Sequence, residues 1–349
     1  MNKIYHTAKN ALGLFKVSLR TLKLIIPLCL LLLSCTREID FNPVNVEQEL
    51  VVSAFIQPGQ LDSLLLTSTF SSLTSADFFE GNAIYKGISG ASAVVLANGD
   101  TVGRYLEAKN KSYYYEGDSF EENKEYQLEI SHPDYPGVSA KTIIPVLPNF
   151  WFGAYADNGL KVNTFSAYTP QVLLEFDDDD NSNNYYILSA SSTYENAITV
   201  GFPEERDSLI IGNEPAQLNS KSPIIEMTYD RSSYDFAQLN YDWETHYGVN
   251  RTGIIFSDKL INGQKVSIPI DLQLYELRYT TKIHLTLTAI SEEYYQLLRS
   301  LATLAKTNDG FFPEALQVYG NVHNGHGLWA AKSSKTITLD ISEIELFNY

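Results

Sequence analysis

Along most of the chain, apolar and polar residues alternate in short runs cut by Pro, Gly, Asn or Asp. Tyr126, Leu128 and Ile130 alternate with Gln127 and Glu129. His132-Pro133-Asp134-Tyr135-Pro136-Gly137 then makes a turn, and Val138, Ala140 and Thr142 alternate again up to Pro145. A period of two sends successive side chains to opposite faces of a strand, so these runs predict half-buried antiparallel strands of a β-sandwich. Residues 50–55 and 61–69 are further β-rich runs, and 93–96 lead into Asn98-Gly99. That dipeptide suits a two-residue type I′ turn, because both central residues need φ > 0. Strands are also expected at 172–176, 185–190, 254–256, 266–272 and 283–290, with Asn262-Gly263 a second hairpin signal. In the last of these, Ile283, Leu285, Leu287 and Ala289 share one face, and His284 looks outward with Thr286 and Thr288. Residues 190–251 are polar and tyrosine-rich without a clear period, which predicts long loops of the kind that build binding surfaces.

One segment follows the helical period instead. Tyr294, Leu297, Leu298, Leu301 and Leu304 recur at three- and four-residue spacing, Ser291 stands at the capping position, and Glu292 and Glu293 suit the positive end of the dipole. A helix is expected near 291–306, ended by Asn308-Asp309-Gly310. Leu147-Pro148-Asn149 marks a domain boundary, since proline ends the preceding strand and the pattern changes beyond it. Residues 124–145 resemble the closing hairpin of carboxypeptidase-regulatory-like and other immunoglobulin-like modules, which commonly position other domains and carry no chemistry. The expected fold is therefore mainly all-β. An immunoglobulin-like β-sandwich over 49–146 is followed by a larger antiparallel β-rich domain over 147–349 with one amphipathic helix.

The amino end breaks both patterns. Lys3, Lys9, Lys16, Arg20 and Lys23, with no acidic residue among them, feed an apolar stretch over 24–33 that contains Pro27. That is the layout of a secretory signal, and it falls short of the ~20 apolar residues a spanning helix needs. Leu32-Leu33-Ser34-Cys35 resembles the bacterial lipobox, in which the cysteine is diacylated, the peptide is cut before it and the new amino terminus is acylated. By that resemblance residues 1–34 are a signal peptide, Cys35 becomes the first mature residue, and several palmitate-like chains make a stable anchor. The alternative is an ordinary signal peptide with a chance cysteine. Residues 35–48, with Pro43 and no periodicity, read as a tether. Arg37, Glu38 and Asp40 resemble the surface-export signal of Bacteroidota lipoproteins; a charged linker is the alternative, which leaves the leaflet open.

Charge and cysteine content narrow the function. Removing residues 1–34 takes away five basic groups and no acid, which lowers the formal charge from −17 to −22 (−17 − 5). So acidic a surface argues against nucleic acid or anionic headgroups as partners, because both reward Lys and Arg. Cys29 leaves with the leader, so no internal disulfide forms and stability must come from core burial, for which 44% hydrophobic residues suffice.

The carboxy-terminal half carries a recognisable succession. It runs from Phe256-Ser257-Asp258-Lys259-Leu260-Ile261-Asn262-Gly263-Gln264 through Ile290-Ser291-Glu292-Glu293-Tyr294-Tyr295 with Leu298 and Leu301. Pro313-Glu314, Gln317-Val318-Tyr319-Gly320-Asn321-Val322 and Asn324-Gly325-His326-Gly327 follow. With Cys35, the hairpin over 126–145 and the stretch 177–186 in order, it resembles a family of Bacteroidota outer-membrane lipoproteins. Members carry a domain of unknown function over nearly the whole mature chain and are often encoded beside TonB-dependent receptors. The resemblance implies an all-β outer-membrane lipoprotein with no established enzymatic role and no catalytic residues.

Candidate chemistry is sparse. Asp177, Asp179 and Asn181 offer hard oxygen donors to calcium, but an EF-hand loop begun at Asp177 puts Ser182 where glycine is needed and Leu188 where glutamate is needed, so a solvated acidic turn is the alternative. His323 and His326 lie in a glycine-rich turn without nearby ligands. No nucleophile elbow, phosphate loop, zinc-protease motif or dinucleotide fingerprint is present, and no cofactor is expected. Tyr241, Trp243 and Tyr247 in the polar region, and Trp329, are candidates for stacking on a captured ligand, against the alternative that they pack as tyrosine and tryptophan usually do in β-proteins. The expectation is a non-enzymatic accessory or ligand-binding subunit of a TonB-dependent transporter or other outer-membrane β-barrel assembly, held to lipid through Cys35. The alternative is a surface hydrolase acting on polysaccharide or peptide, using carboxylates such as Asp177 to Asp180 or Glu292 and Glu293. If Cys35 is the acylation site, Cys35→Ala abolishes labelling by a fatty-acid probe and leaves uncut precursor or soluble protein; unchanged labelling refutes the assignment.

Overall fold

The alternating runs form strands in the computed structural model, which describes residues 47–59, 63–69, 87–109, 111–154, 161–162, 168–169, 171–179, 182–198, 208–220, 222–228, 253–273, 280–307 and 317–340. The chain divides into Met1–Val46, which lies outside the described residues, and the compact unit Glu47–Tyr349.

The first strands are β1 (Leu50–Ile56), β2 (Ser63–Ser68), β3 (Ser92–Ala97), β4 (Asp100–Glu107), β5 (Tyr113–Gly117), β6 (Glu125–His132) and β7 (Tyr135–Ile143). β1 shows the period: Leu50, Val52, Ala54 and Ile56 are buried and the residues between them are not fully so. These inward side chains, with Tyr113, Tyr115, Phe120 and Tyr126, make the first hydrophobic cluster. The β3–β4 turn has both central residues left-handed, Asn98 at φ 53° and Gly99 at φ 88°, as the sequence predicts. β6 and β7 pair antiparallel and bury Tyr126, Leu128, Ile130, Val138, Ala140 and Thr142.

Further along come β8 (Phe150–Ala154), β9 (Lys161–Val162), β10 (Tyr168–Thr169), β11 (Gln171–Asp177), β12 (Tyr185–Ile198), β13 (Ser208–Asn219), β14 (Ile225–Thr228), β15 (Gly253–Ser257), β16 (Lys265–Gln273), β17 (Thr280–Ile290), the helix α1 (Glu292–Thr307) and β18 (His326–Asp340). Their second cluster is built on Leu174, Phe176, Leu188, Ile254, Phe256, Ile268, Ile270, Leu285 and Leu287. α1 buries Tyr294, Tyr295, Leu297, Leu298 and Leu301 against Ile187, Ile255, Leu328 and Ala330 in a third. At ~1.5–3 kcal/mol for each fully buried large apolar side chain, this stripe holds the helix to the sheet.

Hydrogen bonding runs in one path, β7-β6-β3-β4-β5-β2-β1-β18-β17-β12-β13-β16-β11-β8, with β15 on β12 and β14 on β15. β18 joins the two halves. Its first residues pair parallel with β1, from Val51 opposite His326 to Ile56 opposite Ala331. The rest pairs antiparallel with β17, from Ile290 opposite Lys332 to Lys282 opposite Asp340. Trp329 and Ala331 enter the first cluster, Leu328 and Ala330 the third, and Ile337 and Leu339 pack on the second.

Two expectations change. Much of 190–251 is strand: β12 and β13 form a long antiparallel pair from Ala190 opposite Ala216 to Ile198 opposite Ser208, and β14 adds to β15. Small and hydroxyl residues on both faces, Ala190 and Ser192 against Ser189, Ser191 and Thr193, blur the alternation there. Residues 199–207 and 229–250 lie outside the described residues. Asn262-Gly263 does not close a hairpin, since only Gly263 has positive φ (69°) and its flanking strands β15 and β16 pair with other strands. Ser291 does more than stand at the capping position: its Oγ accepts the Ala331 N–H at 3.2 Å and its own N–H donates to Ala331 O at 2.9 Å, so it fixes the helix start to β18.

The β1–β18 joint depends on two side-chain choices. Gly327 has φ +97°, and a Cβ there would lie 2.0 Å from Val52 O. Asn321 donates from Nδ2 to Lys141 O (3.0 Å) and Trp329 O (2.8 Å) and accepts the Trp329 N–H (3.0 Å), which ties β7 to β18. Gly327→Ala is therefore expected to cost about 3 kcal/mol or more, and Asn321→Ala about 2–4 kcal/mol, by urea unfolding. Gly59→Ala, also left-handed (φ +72°) but in open space, should lose only the ~1–2 kcal/mol of backbone strain. Equal losses at Gly327 and Gly59 would mean that the close approach does not matter.

Candidate functional site

Three segments distant in sequence meet beside the N-terminus of α1. They are the exit from β7 (Ile143, Ile144, Pro145, Val146, Pro148), the turn between β11 and β12, and the start of the helix with Glu292 and Glu293. Asn123 closes one end. Together they enclose a cleft of about 410 Å³.

Each wall is fixed from behind. Glu122 accepts the Leu147 N–H at 3.3 Å and the Ser333 hydroxyl, which holds the chain leaving β7 against β18. This wall shows water two apolar side chains, Ile143 at 51% and Val146 at 47% exposure. Glu293 Oε2 accepts the Thr142 hydroxyl at 3.1 Å, which joins α1 to β7. In the β11–β12 turn Asp178 points inward: Oδ1 accepts the Tyr186 hydroxyl at 2.9 Å and Oδ2 the Gly263 N–H at 3.1 Å. Asp258, almost wholly buried, accepts the Asn184 N–H at 2.7 Å and donates its own N–H to Asn184 O at 3.0 Å. Asp177 and Asp179, on either side of the anchored Asp178, line the cleft.

The electrostatics are one-sided. Asp177, Asp179, Glu292 and Glu293 line the cleft, and among its described lining residues there is no Lys, Arg or His. Burial pushes the Asp178 carboxyl up, opposed by the Tyr186 and Gly263 hydrogen bonds and reinforced by the charge on Asp179. Burial likewise raises Asp258, opposed by the Asn184 N–H and reinforced by Asp178. Burial raises Tyr185, and Glu292, Asp258 and Glu226 push it further, with Arg299 opposing. Tyr185 stacks on Tyr295 with centroids 4.3 Å apart, and the Tyr295 and Ser257 hydroxyls both donate to Glu226. The cleft thus offers hydrogen-bond acceptors, negative charge and apolar surface.

Of the residues singled out in the sequence, Asp177 and Asp179 of the acidic turn and Ser291, Glu292 and Glu293 of the helix start reach this cleft. Cys35, Asp180, Asn181, Tyr241, Trp243 and Tyr247 lie outside the described residues. Trp329 is corrected from stacking candidate to core residue: it is fully buried, opposite Ala54 on β1, so its ring meets no outside ligand. The glycines that resemble a turn around it are what let β18 approach β1. Among the described residues no three His, Cys, Asp or Glu side chains gather as a metal ion would require. His326 instead meets Glu49 at 2.5 Å. Sequence reasoning named Glu292 and Glu293 only as an alternative to the acidic turn and missed Ile143 and Val146; that all of them line one cleft is non-local and carries no local signal.

Residues 36–338 match the family described as "Domain of unknown function (DUF4249)", and the chain belongs to that family. No curated protein matches the chain. Solved structures with some likeness include a DUF4785 family protein from Legionella pneumophila, at 9% identity over 71% of this chain and 52% of that one, with a TM-score of 0.23. The chain thus spans about half the length of that structure. Another is the collagen adhesin of S. aureus, at 10% identity over 83% of this chain and 93% of that one, with a TM-score of 0.17. At such scores neither bears on function.

The raised carboxyls give a pH signature. Between the ordinary carboxylate range and their raised values, Asp178 and Asp258 keep protons in the folded protein that the unfolded chain has released. Stability therefore falls as pH rises through that interval and is regained on acidification. Asp178→Asn combined with Asp258→Asn should flatten the pH dependence of the urea midpoint just above the ordinary carboxylate range. An unchanged slope would assign the dependence to other groups.

Proposed function

We propose that this member of the family is an outer-membrane lipoprotein, anchored through acylated Cys35 and displayed at the cell surface, that serves without catalysis as an accessory or ligand-binding subunit of an outer-membrane β-barrel assembly such as a TonB-dependent transporter. The cleft carries the reading. Its lining supplies acceptors and apolar contact, and the carboxyls behind it, half-buried Asp178 and buried Asp258, are occupied in holding the turn, an arrangement suited to docking. The family match that begins at Thr36, directly after Cys35, supports an anchor at that cysteine. Likeness of the sequence to Bacteroidota lipoproteins supports the transporter as partner, and the charge of −22 argues for a protein partner rather than nucleic acid.

Copurification tests it. From gently solubilised outer membranes the protein should emerge in a stoichiometric complex with a β-barrel, and protease applied to whole cells should remove it. A protein that runs alone at every salt concentration and turns over a polysaccharide or peptide would replace this reading with the hydrolase. Full protection of the wild type in whole cells would move it to the periplasmic leaflet.

A further inference from the structure

We infer that the cleft beside α1 is the docking site for a basic segment of the partner protein, with a Lys or Arg head among the carboxylates and an apolar neighbour against Ile143 and Val146. This deepens the accessory reading and rests on it for the partner's identity.

The chemistry of the walls selects this occupant. The β11–β12 turn and the start of α1 present Asp177, Asp179, Glu292 and Glu293, and the exit from β7 presents the half-exposed Ile143 and Val146. Lys and Arg side chains have the matching division, an apolar stem with a cationic end. The volume, about 410 Å³, falls in the ~300–1,000 Å³ range of ligand pockets and admits a long side chain with its neighbours. The positive end of the α1 dipole opposes a cation, but it amounts to roughly half a charge. Glu292 and Glu293 in the first turn outweigh it, and Asp177 and Asp179 add to the attraction. Like charges gathered in one concavity repel one another, and an incoming cation relieves that repulsion while it gains its own attraction. A bare divalent ion fits less well, because Asp178, the central carboxylate of the turn, is already bonded to Tyr186 and Gly263 and no three ligating side chains gather among the described residues.

The test uses the protein lacking residues 1–34 and a dye-labelled octapeptide of alternating leucine and arginine, read by fluorescence anisotropy. Binding is expected, should weaken about tenfold as salt rises from ~50 to ~300 mM, and should be absent for the leucine–glutamate peptide. Asp179→Asn with Glu292→Gln should lower affinity at least tenfold, and Ile143→Ser should lower it severalfold. Glu116→Gln, on exposed β5 beside Arg104, should leave it unchanged. Retained affinity in the cleft variant, or an equal loss in Glu116→Gln, overturns the inference. Calcium-induced stabilisation that disappears in the cleft variant also overturns it, in favour of a metal site. Copurification separates the two claims: a wild type with no barrel partner sinks the accessory reading, whereas a cleft variant that copurifies as well as the wild type sinks only the docking site.

Discussion

The parallel pairing of the first strand with the last is the constraint on which the rest of the fold depends. β1 would otherwise leave one edge of its sheet open, and β18 closes it over Val51 to Ile56. The same strand continues into the other half against β17, so one backbone carries hydrogen bonds for both. Close approach is what makes this possible. At Gly327 there is no room for a side chain above Val52 O, and Asn321 replaces the missing ladder with three side-chain bonds. The glycine- and asparagine-rich stretch before β18, which in isolation resembles an exposed binding turn, is therefore largely a joint.

The cleft follows from that joint. Ser291 pairs with Ala331, which sets where α1 begins, and Ser333 donates to Glu122, which also holds Leu147. Helix start and β7 exit are thus both referenced to neighbouring residues of β18. The third wall is referenced elsewhere, because Asp178 and Asp258 bind the β11–β12 turn to the segment around Gly263. A concavity results that is lined by the carboxylates of Asp177, Asp179, Glu292 and Glu293, the last of them bonded to Thr142.

Elements whose information is local were legible in the sequence. Asn98-Gly99 encodes its own backbone angles, β6 and β7 encode their alternation, and α1 encodes its stripe in residues three and four apart. What failed was non-local or chemically ambiguous. β12 enters its pairing with β13 through Ala190, Ser191, Ser192 and Thr193, which carry little hydrophobic contrast to mark a strand. Trp329 was misplaced because its glycine context looks like a turn until β1, far away in the chain, is laid beside it. Asp177 and Asp179 were legible as an acidic turn, but their meeting with Val146 and with Glu292, the latter more than a hundred residues on, depends on non-local contacts.

Protonation and occupancy of the cleft are coupled through the same carboxyls. Asp178 and Asp258 sit behind the wall formed by Asp177 and Asp179, raised chiefly by burial and further by neighbouring negative charge. A cation in the cleft supplies the opposite charge, favours their ionised forms and so releases protons. By linkage the reverse holds: raising the pH through that interval strengthens the hold on the cation. The empty protein loses stability over that interval, and a bound cation would offset part of the loss by the strengthened hold. Negative charge that is a burden on the isolated fold is the part of the surface that a basic partner would relieve.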